Sequence, residues 1–139
     1  MKTYLTAYCA TLIAFVAIDF IWLSIMADRL YRPTLGDMLA PQFRLAPAVA
    51  FYLIYAAGLT FFAVSAGLMS GSMATAALYG AAVGFMAYAT YDLTNQSTLK
   101  NWSTGLTIAD LIWGTFLSAV ASGAGFWVTQ RIFGAVSRL

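Results

Sequence analysis

The stretch YLTAYCATLIAFVAIDFIWLSIM, residues 4–26, decides the fold class of this chain. Its only charged side chain is Asp19, and about 20 mostly apolar residues are enough to cross the roughly 30 Å hydrocarbon core of a bilayer. The apolar run continues past Asp19 to Trp22 and Met26, which is too long for an ordinary cleavable signal-peptide core. We therefore predict a retained transmembrane helix.

Three further apolar runs follow, at Pro47–Met69, Ala74–Leu93 and Leu106–Val128. The stretch between the first two runs, residues 27–46, contains two prolines, a glycine and five charged residues, a composition typical of an interfacial loop. Only the short link SGSM, residues 70–73, separates the second run from the third. Such a link favours an antiparallel helical hairpin.

The composition agrees with a membrane protein. Hydrophobic residues make up 62% of the chain and charged residues 9%, with a mean hydropathy of +0.81. In soluble domains about 45–50% of the residues are apolar and about 25% are charged. We predict an all-α fold, a polytopic membrane protein with four transmembrane helices in an antiparallel bundle. Residues 1–139 fit a single domain.

The polar residues exclude several kinds of site. All five acids are aspartates, histidine is absent, and the single Cys9 lies in an apolar run, so most ways of holding zinc, haem or an iron–sulfur cluster are missing. We expect no metal site and no cofactor. The net charge of +2 is too small to indicate a nucleic-acid partner, but it fits a modest attraction to anionic membrane lipid.

Three aspartates lie within the apolar runs or at their ends: Asp19, Asp92 and Asp110. Because successive helices alternate in direction, all three are predicted on the same side of the membrane. At 1.5 Å per residue, Asp19 and Asp110 lie roughly 6–11 Å below the interface and Asp92 lies close to it. An ionised Asp at mid-helix costs about 2.5–3.5 kcal/mol, so these acids must find partners or stay protonated.

The polar stretch YDLTNQSTLKNW, residues 91–102, joins the third and fourth helices on that side. We predict that Asn95, Thr98, Lys100 and Asn101 form the lid of a pocket whose floor holds Asp19 and Asp110. The binding candidates are Asp19, Asp92, Asn95, Thr98, Lys100 and Asp110. The expected pocket walls are aromatic or hydroxyl side chains close to the acids: Trp22, Tyr88, Trp102, Thr107 and Trp113.

Small residues share a helix face with two of the acids. Gly80 and Gly84 precede Asp92 at steps of four residues, and Gly114 and Ser118 follow Asp110 in the same way. This spacing is typical of close helix packing in lipid. Polar and Trp residues near helix ends also serve as caps and interfacial anchors, so a purely structural role stays open beside the binding role.

An internal echo links the first and fourth helices. AIDFIWLS, residues 17–24, and IADLIWGT, residues 108–115, both carry an Asp followed by Ile and Trp two and three residues later. Chance similarity and a true inverted repeat, which is frequent in transporters, both remain open.

The basic residues do not fix an orientation. Lys2, Arg131 and Arg138 are expected on one side of the membrane, where the two arginines are ordinary end anchors, and four basic residues are expected on the other. The positive-inside rule gives no preference for such a balance. A dual-topology homodimer therefore stays open.

The chain resembles a family of small four-helix bacterial membrane proteins catalogued as domain of unknown function number twenty-one seventy-seven. The matching pieces are AIDFIWL, YRPTLGDML, and YATYDLTNQSTLKNW leading into IADLIWG. The DLTNQSTLK segment is the most specific, and Ser103 departs from the Pro expected after Trp102. The resemblance implies a multi-pass protein of the bacterial inner membrane but no activity.

Three functions follow from these patterns. The first is binding or modification of a lipid-like amphiphile in the one-sided pocket of Asp residues; no motif pairs a nucleophile with an activating base, so whether the protein is an enzyme stays open. The second is a small proton- or cation-coupled transporter that works as a homodimer. The third is a non-catalytic subunit or assembly factor with a partner membrane protein.

Overall fold

The chain folds into four long helices, as a computed structural model that describes residues 1–134 shows; Arg138 lies outside the described residues. The helices are α1 (Lys2–Met38), α2 (Leu45–Ser70), α3 (Met73–Thr98) and α4 (Thr104–Phe133), each long and apolar enough to cross a membrane. No strand occurs within residues 1–134. The predicted all-α bundle with four membrane-spanning helices is confirmed.

Helix α1 continues beyond its predicted end near Met26. It passes through a π-helical turn, Ala27–Tyr31, then through the α-helical turn Arg32–Leu35, and ends in the 3₁₀ turn Gly36–Met38. The prediction of a loop from residue 27 is therefore wrong for this segment. Its Pro33 lies in the first turn after the π turn, where a missing N–H group is tolerated.

Most of the polar stretch before α4 is helical as well. Helix α3 extends to Thr98 rather than ending near Leu93, and only a few residues separate it from α4. Ser103 is the N-cap of α4, and its hydroxyl accepts a hydrogen bond from the Leu106 N–H at 3.3 Å, which satisfies one of the free donors of the first turn. The expected loop-like lid is thus largely the last turns of α3.

The link between α2 and α3 forms the predicted hairpin. Gly71 has a φ of 66°, in the left-handed region that glycine adopts without strain. Ser72 then caps α3 by accepting a hydrogen bond from the Thr75 N–H at 3.2 Å. Two residues therefore reverse the chain.

Helix α4 occupies the centre of the bundle. In its most apolar stretch 44% of the residues are buried, against 17% for α1 and for α3. The seam between α3 and α4 is close-packed: a Cβ on Gly80 would lie 2.5 Å from Ser122 Oγ, and one on Gly84 would lie 2.6 Å from Ser118 Oγ. Glycine thus lets the two backbones approach, as the small-residue faces predicted.

Candidate functional site

Asp19 is buried among the helices and hydrogen-bonded through both carboxylate oxygens. The Tyr52 hydroxyl of α2 donates to Oδ2 at 2.7 Å, and the Trp113 indole N–H of α4 donates to Oδ1 at 3.1 Å. Asp19 itself is only 7% exposed. Two neutral donors from two other helices therefore satisfy a carboxylate that the sequence places inside the membrane.

Asp110 has a comparable setting on α4. It is 6% exposed, and its Oδ1 accepts a hydrogen bond from the Tyr31 hydroxyl at 2.6 Å. The same hydroxyl accepts a hydrogen bond from the indole N–H of Trp22 at 3.0 Å. The two acids are therefore brought to one level of the bundle, each held by an aromatic donor of another helix.

The two sequence echoes meet at this level. Trp22 and Trp113 stack with ring centroids 4.2 Å apart and planes at 10°. Because α1 and α4 are antiparallel, the Asp of each echo faces the Trp of the other: Trp113 binds Asp19 directly, and Trp22 reaches Asp110 through Tyr31. We call the six residues of this network the acid–aromatic layer: Asp19, Trp22, Tyr31, Tyr52, Asp110 and Trp113.

The π-helical turn in α1 makes this arrangement possible. Tyr31 follows Trp22 by nine positions, a spacing that in an uninterrupted α-helix would place their side chains about 180° apart. The wider turn at Ala27–Tyr31 rotates the chain less per residue and returns Tyr31 toward the face of Trp22. Single π turns of this kind occur frequently at functional sites.

Asp92 is also buried, but it stands outside the hydrogen-bonded layer. Its exposed fraction is 0%, and within residues 1–134 neither of its carboxylate oxygens has a hydrogen-bond partner. It lies on the face of α3 that packs against α4. An unsatisfied buried carboxyl is rare enough to demand a physical explanation.

The predicted wall residues Tyr88, Trp102 and Thr107 lie along the α3–α4 seam. The ring of Tyr88 covers Gly114, at the place where a Cβ would project. Nearer the helix ends, the Trp102 indole donates to Thr107 Oγ1 at 3.0 Å, and this hydroxyl donates to Gln96 Oε1 at 2.9 Å. The polar stretch therefore closes the end of the seam above Asp92 and Asp110.

The remaining binding candidates, Asn95, Thr98 and Lys100, are not joined to the acids. Thr98 is exposed and donates to the Thr94 carbonyl at 2.9 Å. Lys100 is exposed, Asn95 is half-buried, and in the described part of the chain no hydrogen bond or ion pair links either side chain to Asp19, Asp92 or Asp110. Their role in binding stays a prediction.

Sequence reasoning missed Tyr31 and Gln96 as members of the site. Tyr31 lies in the segment that is predicted as a loop, and the signal in favour of a helix there is Pro33, because proline is common in a first helical turn. Gln96 lies within the polar stretch, and nothing in the sequence distinguishes it from its polar neighbours. Its side chain bonds to both Thr107 and Thr104, a pairing that depends on how α3 and α4 align.

No basic side chain of the described part balances the buried acids. All of its lysines and arginines are exposed: Lys2, Arg29, Arg32, Arg44, Lys100 and Arg131. Within residues 1–134 there is also no group of three His, Cys, Asp or Glu side chains that could hold a metal ion. The site offers carboxylates and aromatic rings to a positively charged ligand.

An apolar groove runs along the outside of the bundle next to this layer. It has a volume of about 580 Å³ and is lined by side chains of α1 and α2, including Leu12, Val16, Phe20, Val49, Tyr52 and Leu53. Tyr52 belongs to both features, since its ring lines the groove and its hydroxyl binds Asp19. Tyr52 therefore connects the groove to Asp19, which does not itself line the groove.

Comparison with known proteins places the chain among membrane proteins. A family model described as "Predicted membrane protein (DUF2177)" matches residues 4–127. No curated protein and no solved structure matches the chain. Together with the four apolar helices, the match makes this a multi-pass integral membrane protein.

Proposed function

We propose that this chain, which belongs to the DUF2177 family of predicted membrane proteins, binds a cationic amphiphile from the lipid phase. The positive head of the ligand lies at the acid–aromatic layer, and its apolar tail lies in the groove between α1 and α2. The observation that carries the proposal is the double role of Tyr52, which lines that groove and donates to Asp19 at 2.7 Å.

The charge of the head follows from the balance of buried groups. Asp19 and Asp110 are hydrogen-bonded only to neutral hydroxyl and indole donors, and the described basic residues are all exposed. A cation relieves the cost of about 2.5–3.5 kcal/mol that an ionised Asp carries inside a membrane. An anionic head would be repelled by the same carboxylates.

Aromatic side chains add to the recognition of a cation. Trp22, Tyr52 and Trp113 are half-buried beside the acids, and the face of a Trp or Tyr ring attracts ammonium groups by about 0.5–2 kcal/mol. The layer contains no nucleophile with an activating base. Binding, rather than chemical modification, is therefore the function that we propose, with the bacterial inner membrane as the expected location.

A direct binding assay tests this proposal. The full chain is reconstituted in nanodiscs of zwitterionic lipid, and binding of radiolabelled dodecyltrimethylammonium is measured in competition with unlabelled dodecylamine or dodecanoate. We expect saturable binding that dodecylamine displaces and dodecanoate does not. Asp19→Asn is expected to weaken binding by about tenfold or more, which corresponds to about 1.4 kcal/mol.

The matched control is Asp28→Asn, because it makes the same chemical change at an exposed aspartate that pairs with Arg32 at 2.9 Å. This variant is expected to bind the probe as the wild type does. Equal affinities of wild type and Asp19→Asn, or displacement by dodecanoate as effective as by dodecylamine, would rule out the proposed site.

A second candidate function is a proton-coupled transporter that works as a homodimer. The observation that favours it is Asp92, a fully buried carboxyl without a hydrogen-bond partner in the described part of the chain, because intramembrane acids often serve as proton-coupling sites. Uptake of the same labelled probe into proteoliposomes with an imposed pH gradient separates transport from simple binding. Gradient-dependent uptake supports the transporter, and binding without uptake supports the first function.

A further inference from the structure

The acid that the binding proposal does not use is Asp92. It lies on α3, six residues before the end of the helix at Thr98, and its side chain is completely buried. Neither oxygen meets a hydrogen-bond donor within residues 1–134. Most buried polar side chains are satisfied, so the chemical state of this carboxyl requires an explanation.

The register of the α3–α4 seam places Asp92 opposite Asp110. Gly80 faces Ser122, Gly84 faces Ser118, and Tyr88 faces Gly114; each step of four residues along α3 is matched by a step of four in the reverse direction along α4. The next step pairs Asp92 with Asp110.

Few groups around Asp92 can compensate its charge. The titratable groups that face this part of the seam are acids and tyrosines from α1, α3 and α4: Asp19, Tyr31, Tyr88, Tyr91 and Asp110. The described basic residues are exposed. Two facing carboxyls in a buried, base-free setting cannot both be ionised without strong repulsion.

The seam is also too tightly packed to favour a metal ion. One turn away from the pair, a Cβ added to Gly114 would already collide with the Tyr88 ring, and the described residues provide no group of three His, Cys, Asp or Glu ligands. Of the species that can neutralise a carboxyl pair, the proton needs the least space and the fewest ligands.

We propose that Asp92 and Asp110 form a proton-binding site in the α3–α4 seam. One proton is covalently held on Asp92, and the resulting O–H group faces the carboxylate of Asp110, so that the pair carries a single negative charge. This site rests on the burial of Asp92 and the register of the seam. It shares Asp110 with the acid–aromatic layer, but its test concerns Asp92, whereas the binding assay concerns Asp19.

Infrared spectroscopy of the full chain in lipid tests this site. A protonated carboxyl in an apolar setting gives a C=O stretching band separate from the carboxylate bands, and the band shifts on exchange into D₂O. We expect this band at neutral pH in the wild type and its loss in Asp92→Asn. The control Asp28→Asn alters an exposed, paired aspartate and is expected to keep the band.

The wild-type spectrum alone can overturn the proposal, so the test does not depend on the folding of a variant. Absence of a protonated carboxyl band at neutral pH would exclude the site. A band that persists in both Asp92→Asn and Asp110→Asn would assign the proton elsewhere. Carboxylate bands that shift when Na⁺ replaces K⁺ would show a metal cation in place of the proton.

Discussion

Trp22 and Trp113 stack face to face, with centroids 4.2 Å apart and planes at 10°, although Trp113 follows Trp22 by 91 positions in the chain. Each Trp follows an aspartate of its own helix by three residues. Because the two helices are antiparallel, each Trp lies beside the aspartate of the other helix and contributes to its hydrogen bonding. The two similar sequence motifs thus meet in one hydrogen-bonded network, in which Trp113 contacts Asp19 directly and Trp22 reaches Asp110 through Tyr31.

Trp113→Phe is expected to destabilise the protein by about 1.5–3 kcal/mol, the typical contribution of a hydrogen bond to a charged group. The substitution keeps an aromatic ring against Trp22 but removes the donor to Asp19 Oδ1. The measurement is thermal unfolding in mild detergent, followed by far-ultraviolet circular dichroism. Trp127→Phe is the control because Trp127 is 52% exposed, and equal midpoints for the two variants would contradict the prediction.

Tyr31→Phe is expected to lower stability more than Tyr52→Phe. Tyr31 accepts from Trp22 and donates to Asp110, whereas Tyr52 donates one bond to Asp19; each bond lost in a buried site costs about 1–3 kcal/mol. Thermal unfolding under identical conditions measures both. The control is Tyr79→Phe, at a tyrosine that is 52% exposed, and it should leave the thermal midpoint unchanged. A lower midpoint for Tyr52→Phe than for Tyr31→Phe would contradict the prediction.

Gly84→Ala is expected to destabilise the bundle by about 1–3 kcal/mol through overpacking. The new methyl group would collide with the Gly114 carbonyl and with Ser118, so the two backbones would have to separate. Gly58→Ala is the matched control, since a Cβ there meets nothing within 4 Å and alanine favours a helix by about 0.5–1 kcal/mol. The thermal midpoint should fall in Gly84→Ala and rise slightly in Gly58→Ala. Equal midpoints for the two variants would contradict the prediction.

Ile54→Lys is expected to reduce membrane insertion of α2, because Ile54 is 73% exposed on the outside of the bundle and a Lys in the middle of a spanning helix costs about 2.5–3.5 kcal/mol. Leu99→Lys, beyond the end of α3, should insert normally. The inserted fraction is measured by carbonate extraction of expressed membranes. Equal extraction of both variants would mean that Ile54 does not face lipid.

The sequence by itself determined the four membrane spans, their alternating directions and the prediction that the three acids lie on one side of the membrane. These features depend on local composition and length, because a bilayer of fixed thickness selects apolar runs of about 20 residues. The close approach of α3 and α4 was predictable for the same reason, as glycine at steps of four residues marks one helix face.

Only the tertiary structure decided which side chains satisfy the acids. Tyr31 reaches Asp110 because a π-helical turn rotates the end of α1, and Tyr52 reaches Asp19 because of the way α2 packs against α1. The rotation of each helix about its own axis is set by packing against its neighbours, and hydrophobic spacing fixes it only coarsely. The position of Asp92 opposite Asp110 likewise depends on how α3 and α4 pack, and it can be recognised only when the two helices are aligned.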